Sequence, residues 1–270
     1  MTNPTAAAAA VEAAARRLQE AEATRVPCAP MRDLLEPNDV VGAYAAQSII
    51  IGDRVAAGGT VVGRKIGLTS KAVQDWLGVD TPDFGVLLDD MEYREDETVP
   101  MSRLLQPRAE AEIAFVLKSD LAEGPFTAES VRDAIDHARA AIEIVDSRVK
   151  DWEVAYADTV ADNASSGLYV MGETRLTLDQ FNPVDVEMTM TANGETVSTG
   201  TGAACLGDPL NAVAWLAEAA LTYGEPLRAG QVILSGALGP VYPVPHGAVV
   251  RAEITGLGSV SATFSGEDQQ

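Results

Sequence analysis

The sequence predicts an α+β protein, with helices packed over residues 1–60 and a large mixed or antiparallel sheet system forming a second domain over 61–270. Three observations point that way. Apolar residues recur at helical spacing as far as Ala57, and alternating β-branched runs dominate after Glu97. Those runs do not alternate regularly with helices, which sets aside a doubly wound parallel sheet.

The alanine-rich stretch 5–25 reads as a helix because Val11, Ala14, Ala15 and Leu18 make an apolar stripe among Glu12, Arg16, Arg17 and Glu20. A second helix, from about Asn38 to Ala57, carries Val40, Val41, Tyr44, Ala45, Ile49 and Val55, and Gly58-Gly59 ends it. The run Gly63-Arg64-Lys65-Ile66-Gly67-Leu68-Thr69-Ser70 then reads as strand, loop and helix start, followed by a short helix from Lys71 to Leu77. It is not a phosphate loop, since it lacks the Gly-Lys-Ser/Thr ending. Strands are expected at 110–118, 139–149, 166–173, 184–192, 231–235, 248–256 and 259–264, with a hairpin turn at Asn193-Gly194. One helix interrupts them: Asp208 caps it, Pro209 opens it, Val213, Leu216, Ala217 and Ala220 face inward, and Gly224 closes it.

A net charge of −21 over 270 residues excludes nucleic-acid binding, which needs clustered Lys and Arg against phosphate. No apolar run is long enough to cross a bilayer, and the N-terminus lacks the pattern of a secretory signal, so the cytoplasm is the expected compartment. The two cysteines, Cys28 and Cys205, match no zinc or redox spacing and read as inert thiols.

Glu110 and Glu112 lie two apart in Gln106-Pro107-Arg108-Ala109-Glu110-Ala111-Glu112-Ile113-Ala114-Phe115-Val116-Leu117. At strand spacing they share a face, while Ala111, Ile113, Phe115 and Leu117 face a core. Acids alternating with apolar residues ordinarily mark a half-solvated antiparallel strand, and on spacing alone that reading outranks a metal site. Glu143, in Ala140-Ala141-Ile142-Glu143-Ile144-Val145, has apolar neighbours on both sides, so a cation partner or a raised pKa is the more economical account of it. Lys65 divides evenly between a surface lysine and a group that contacts an acid substrate or moves a proton. Asp83, in Thr81-Pro82-Asp83-Phe84-Gly85, is by default a turn former and alternatively a base. Asp158 to Gly167 reads as a dense polar loop fit to line a pocket.

Gly63 to Thr69, Leu77 to Gly85, Gln106 to Val116, Asp158 to Gly167 and Ser235-Gly236-Ala237-Leu238-Gly239-Pro240 resemble in order the dienoate hydratases of the fumarylacetoacetate hydrolase superfamily from about Pro30 to Phe264. That resemblance implies a mixed β-roll core, a Mg²⁺ or Mn²⁺ site, and a homo-oligomer, pentamer or decamer, that associates with a downstream enzyme of its pathway. It implies metal ligation by Glu110, Glu112 and Glu143, active-site roles for Lys65 and Asp83, and a pocket hydroxyl at Ser165. The implied activity is hydration of a small 2-hydroxy-2,4-dienoate, 2-oxopent-4-enoate, to a 4-hydroxy-2-oxo acid in meta-cleavage aromatic catabolism. The rivals are decarboxylation of 4-oxalocrotonate, against which the segment Gly236 to Pro240 speaks, and a non-catalytic metal-binding assembly subunit, against which the full set of site residues speaks.

Overall fold

A computed structural model describes residues 4–267. Among these residues six α-helices are present: α1 Pro4–Thr24, α2 Val40–Ala56, α3 Lys71–Leu77, α4 Ala128–Ala134, α5 Tyr156–Ala161 and α6 Pro209–Thr222. The strands are β1 Val61–Gly67, β2 Asp83–Leu88, β3 Glu92–Tyr93, β4 Thr98–Val99, β5 Pro107–Leu117, β6 Ile135–Asp146 and β7 Ser166–Met171. They continue with β8 Glu187–Ala192, β9 Glu195–Thr201, β10 Val232–Leu234, β11 Tyr242–Pro243, β12 Val249–Ile254 and β13 Gly258–Phe264. The fold is α+β, built on two mixed sheets.

The larger sheet runs β2-β1-β10-β5-β6-β7-β3, with β11 on β5, and the smaller runs β4-β13-β12-β8-β9. Pairing is antiparallel except for β1 with β10, β3 with β7, and β4 with β13. Strands β12 and β13 pack across β6. The core between the sheets takes the alternate residues of the central hairpin: Ala111, Ile113, Phe115 and Leu117 of β5 and Ile142 and Ile144 of β6 are all buried. Burying aliphatic side chains of this size stabilises by about 1.5–3 kcal/mol each, which fixes the face of the hairpin that turns inward. The opposite face is thereby committed to Glu110, Glu112 and Glu143.

The hairpin is irregular at one place only along its pairing, a register shift between Val116 and Leu117 at the end that leads into the connection. From Val116 back to Pro107 the register is regular and sets Glu110 directly opposite Glu143.

The N-terminal helices pack on the elements that carry the site. α1 buries Ala14, Ala15, Leu18 and Ala21, and it packs on α2. The Gln47 amide of α2 donates to the carbonyls of Phe84 at 3.0 Å and Val160 at 2.9 Å, tying β2 to α5. In α6 the Asp208 carboxylate accepts from the Leu210 N–H at 2.8 Å, Pro209 opens the helix and Gly224 follows it at φ +76°, as its sequence signals require. Asn193 and Gly194 take φ of 50° and 86° in the expected hairpin turn between β8 and β9.

One local expectation holds: the run Gly63 to Ser70 is strand to Gly67, where β1 is paired on both sides, then loop, then the Ser70 cap of α3. The glycines of β1 answer close approaches: a Cβ at Gly63 would stand 2.0 Å from the Val232 carbonyl oxygen. Others give way. Asp83 opens β2 rather than forming a turn. Helices α4 and α5 were not expected, so α6 is not the only helix among the strands, and the stretch Asp158 to Gly167 is largely ordered into α5 and the start of β7.

Candidate metal centre and active site

Strand pairing assembles the site. Residues opposed in an antiparallel pair project on the same face, so the Glu110 and Glu143 register brings those side chains together, and Glu112, two residues along, joins them. One carboxylate oxygen from each of the three lies within 4.8 Å of the other two. Glu112 and Glu143 are buried and Glu110 is half-buried, so the cluster opens toward Glu110.

Lys65 enters from β1. It is 2% exposed, which removes the surface reading. Its Nζ donates to the Ala164 carbonyl at 3.0 Å and stands 3.1 Å from Glu143 Oε1. Asp83 sits across from Gly67 in the β1–β2 pairing, and its Oδ2 accepts from the Thr159 hydroxyl at 2.8 Å. A Cβ at Gly67 would stand 2.2 Å from Asp83 Oδ1 and 3.5 Å from Lys65 Nζ, so the absent side chain there is what lets the acid and the amine share one space.

The cluster is short of donors. Glu112 Oε2 accepts from the Gly236 N–H at 2.8 Å, but Glu112 Oε1, Asp83 Oδ1 and both Glu143 oxygens are buried without a hydrogen-bonded partner. Glu143 Oε1 is in ion-pair range of Lys65, unaligned for a hydrogen bond. Orphaned anionic oxygens inside a fold are costly unless something positive meets them. The proton affinities say the same. Burial and then the Glu143 charge push Glu110 up to about 7. Burial, with Glu143 and Glu110 beside it, raises Glu112 well above the carboxylate range, and burial raises Glu143 against the pull of Lys65. Burial also raises Asp83 against Lys65 and Thr159. For Lys65 burial works against the ammonium, yet Glu143, Asp83, Glu110 and Glu112 outweigh it and leave its pKa raised. Three converging carboxylates, one lysine and unpartnered oxygens are a donor set that fits a hard divalent cation.

Of the residues singled out in the sequence, Glu110, Glu112, Glu143, Lys65 and Asp83 come together. Ser165 lies next to Ala164, and its hydroxyl donates to Asp162 Oδ2 at 3.3 Å, away from the carboxylate cluster. Three contributors escaped sequence reasoning: the Thr159 hydroxyl, the Ala164 carbonyl and the Gly236 N–H. Thr159 and Ala164 lie in the polar stretch and Gly236 in a segment that carries the resemblance, but which atom faces the site depends on pairing between strands far apart in sequence. Cys28 and Cys205 are free thiols whose sulfurs face the backbone carbonyls of Arg148 and Ser235, and burial raises both. They are placed as inert thiols should be.

The family described as fumarylacetoacetate (FAA) hydrolase C-terminal matches residues 58–265. The chain is 51% identical over 253 residues, 94% of each chain, to 2-keto-4-pentenoate hydratase of Paraburkholderia xenovorans (strain LB400). It is 42% identical over 257 residues to 2-hydroxyhexa-2,4-dienoate hydratase of Comamonas testosteroni, covering 94% of this chain and 97% of that one. Among solved structures, 4-oxalocrotonate decarboxylase from Pseudomonas putida G7, complexed with magnesium and adipate, superposes with a TM-score of 0.90 at 35% identity, over 94% of this chain and 97% of that one.

Proposed function

The chain belongs to the fumarylacetoacetate hydrolase family, and from that premise we propose that it is a hydro-lyase converting a short 2-hydroxy-2,4-dienoate, 2-oxopent-4-enoate, to 4-hydroxy-2-oxopentanoate in the meta-cleavage breakdown of aromatic compounds. The observation behind it is the buried Glu110, Glu112 and Glu143 cluster with Lys65 and Asp83 at its edge, in a chain half identical to a dienoate hydratase over nearly its whole length.

Glu110, Glu112 and Glu143 would hold Mg²⁺ or Mn²⁺, which when bound supplies charge stabilisation at the 2-oxo oxygen of an α-keto acid. The residues of the chain handle protons and water. Hydration requires the 2-hydroxyl proton to leave and a proton to arrive at C5, giving the 2-oxo-3-enoate. Water oxygen then bonds to C4 and a proton goes to C3. Lys65 and Asp83 share these transfers: Lys65 is held as an ammonium by the Ala164 carbonyl and the surrounding acids, while Asp83 keeps one oxygen unpartnered and its pKa raised. Ser165 belongs to the turn that carries Ala164. Assembly as a pentamer or decamer, a cytoplasmic setting and association with a downstream enzyme are parts of the same reading; among the described residues no helix is long and apolar enough to cross a membrane.

The test follows dienoate absorbance with and without chelator. Wild-type turnover should vanish with chelator, and Lys65→Ala and Asp83→Asn should each lose about 10²-fold or more while still binding the cation. Wild-type rates in both variants would remove Lys65 and Asp83 from the mechanism. The likeness to 4-oxalocrotonate decarboxylase supplies the competing activity: CO₂ release from 4-oxalocrotonate with no hydration of the monocarboxylate would reverse the choice.

A further inference from the structure

The Lys65 ammonium is aimed by a backbone carbonyl, and that carbonyl sits in an unusual place. Asn163, Ala164 and Ser165 have φ of 55°, 51° and 50°, three consecutive residues in the left-handed region with no glycine among them. Glycine would adopt that conformation without steric penalty, so the surrounding structure must hold these residues in it.

The restraint is visible on both sides. Arg148, 8% exposed, reaches over the turn: Nη2 donates to the Asp162 carbonyl at 2.7 Å, just before it, and Nη1 to the Ser166 carbonyl at 2.8 Å, just after it. Asp162 locks the guanidinium in place, with Oδ1 accepting from Arg148 Nε and Oδ2 from the Arg148 backbone N–H at 3.0 Å. The same Oδ2 accepts from the Ser165 hydroxyl at 3.3 Å. On the other flank the Asn163 amide pairs with both backbone groups of Val86 in β2, at 2.7 and 2.9 Å. The middle residue of the turn, Ala164, is left with its carbonyl pointing at Lys65 Nζ.

We propose that Arg148 and Asp162, neither of which touches the carboxylate cluster, are positioning residues of the hydration reaction, clamping the Asn163-Ala164-Ser165 turn so that the Ala164 carbonyl fixes the Lys65 amine. This rests on the proton-transfer role assigned to Lys65. A guanidinium is suited to the task because its planar fork grips two carbonyls at a set separation, which an ammonium cannot do.

Two variants test it. Ala164→Gly accepts the left-handed conformation, so it folds, but it frees the carbonyl to wander. Its kcat should fall about ten- to a hundredfold, with KM and the Mn²⁺ dissociation constant measured by paramagnetic resonance within about twofold of wild type and an unchanged melting temperature. Arg148→Lys keeps the charge facing Asp162 and loses the fork, and should show the same split. Wild-type kcat in Ala164→Gly would overturn the proposal, as would a kcat loss matched by an equal loss of Mn²⁺ binding, since the cluster itself would then be disturbed. If Arg148→Lys fails to fold, Ala164→Gly decides alone. Absence of hydration by the wild-type enzyme defeats the functional reading instead, and is seen before either variant is measured.

Discussion

Two buried clusters of charge lie within a few residues of each other and are built on opposite terms. In the Arg148–Asp162 cluster every charged atom has a partner: the guanidinium uses Nε, Nη1 and Nη2, and both Asp162 oxygens accept. In the Glu110, Glu112 and Glu143 cluster four buried carboxylate oxygens, counting that of Asp83, have no hydrogen-bonded partner. Both are comparably hidden from water, so burial does not distinguish them. Satisfaction does: a complete network holds the chain in shape, while an incomplete one fits a positive partner that would complete it.

The contrast can be broken most forcefully at the glutamates. Glu112→Gln keeps the shape and an acceptor for the Gly236 N–H but removes the carboxylate that the proposed metal site needs. Turnover should drop by about 10³-fold or more, the worth of several kcal/mol of cation assistance, while metal-free stability in urea holds, because Gln replaces a carboxyl that burial and its acidic neighbours already drive toward the neutral form. A marked fall in metal-free stability would show that this cluster is structural after all. At the satisfied cluster the order reverses. Asp162→Asn leaves the Arg148 charge buried without its counterion and should cost about 3–5 kcal/mol of unfolding free energy, whether or not cation is present. A loss much under 1 kcal/mol would mean that the two clusters are not different in kind.

The smallest effect is a pH dependence. Glu110 holds its proton in the fold up to about 7, against 4.5 for the ordinary side chain. The folded state therefore binds that proton more tightly than the unfolded one. Its contribution to the stability of metal-free protein is fully present below about 4.5, is lost as pH rises to about 7, and is constant above that. Melting followed across this window should show a decline that Glu110→Gln flattens, by about 1–2 kcal/mol at most after discounting partial exposure. Saturating Mg²⁺ should reverse the slope, because the cation competes with the proton. Identical slopes in wild type and Glu110→Gln would refute the assignment.

The same contrast explains what was legible in the sequence. Glu110, Glu112 and Glu143 stand out as acids at regular positions of apolar strands, which is local information, but spacing alone favours a solvated face for the first two and the resemblance is what joins the three. The helix caps around Asp208 and Gly224 are local too. Lys65 remained ambiguous because Gly63 and Gly67 look like loop punctuation; they are glycine because the Val232 carbonyl and the Asp83 carboxylate approach them. Asp83 followed Thr81-Pro82, which reads as a turn, and only pairing with β1 reveals it as a strand residue. Nothing near Arg148 signals that its partner stands at Asp162, because the residues that close a network are chosen by the tertiary fold. The Ser165 hydroxyl could be placed on the right segment but not pointed, for the same reason.

The register shift between Val116 and Leu117 bears on how this protein can change. It lies at the end of the hairpin that faces the long connection to β6, while Glu110 and Glu143 lie toward the other end with uninterrupted pairing between. A slip of one residue would turn Glu143 to the opposite face and scatter the three carboxylates. The bulge takes up such mismatch before it reaches them. Residues 122–125, outside helix and strand between the Leu121 bridge to Leu227 and the Phe126 N–H that donates to Glu218, can thus gain or lose length over evolutionary time, or accept a grafted peptide, while the spacing of the carboxylate oxygens stays as it is.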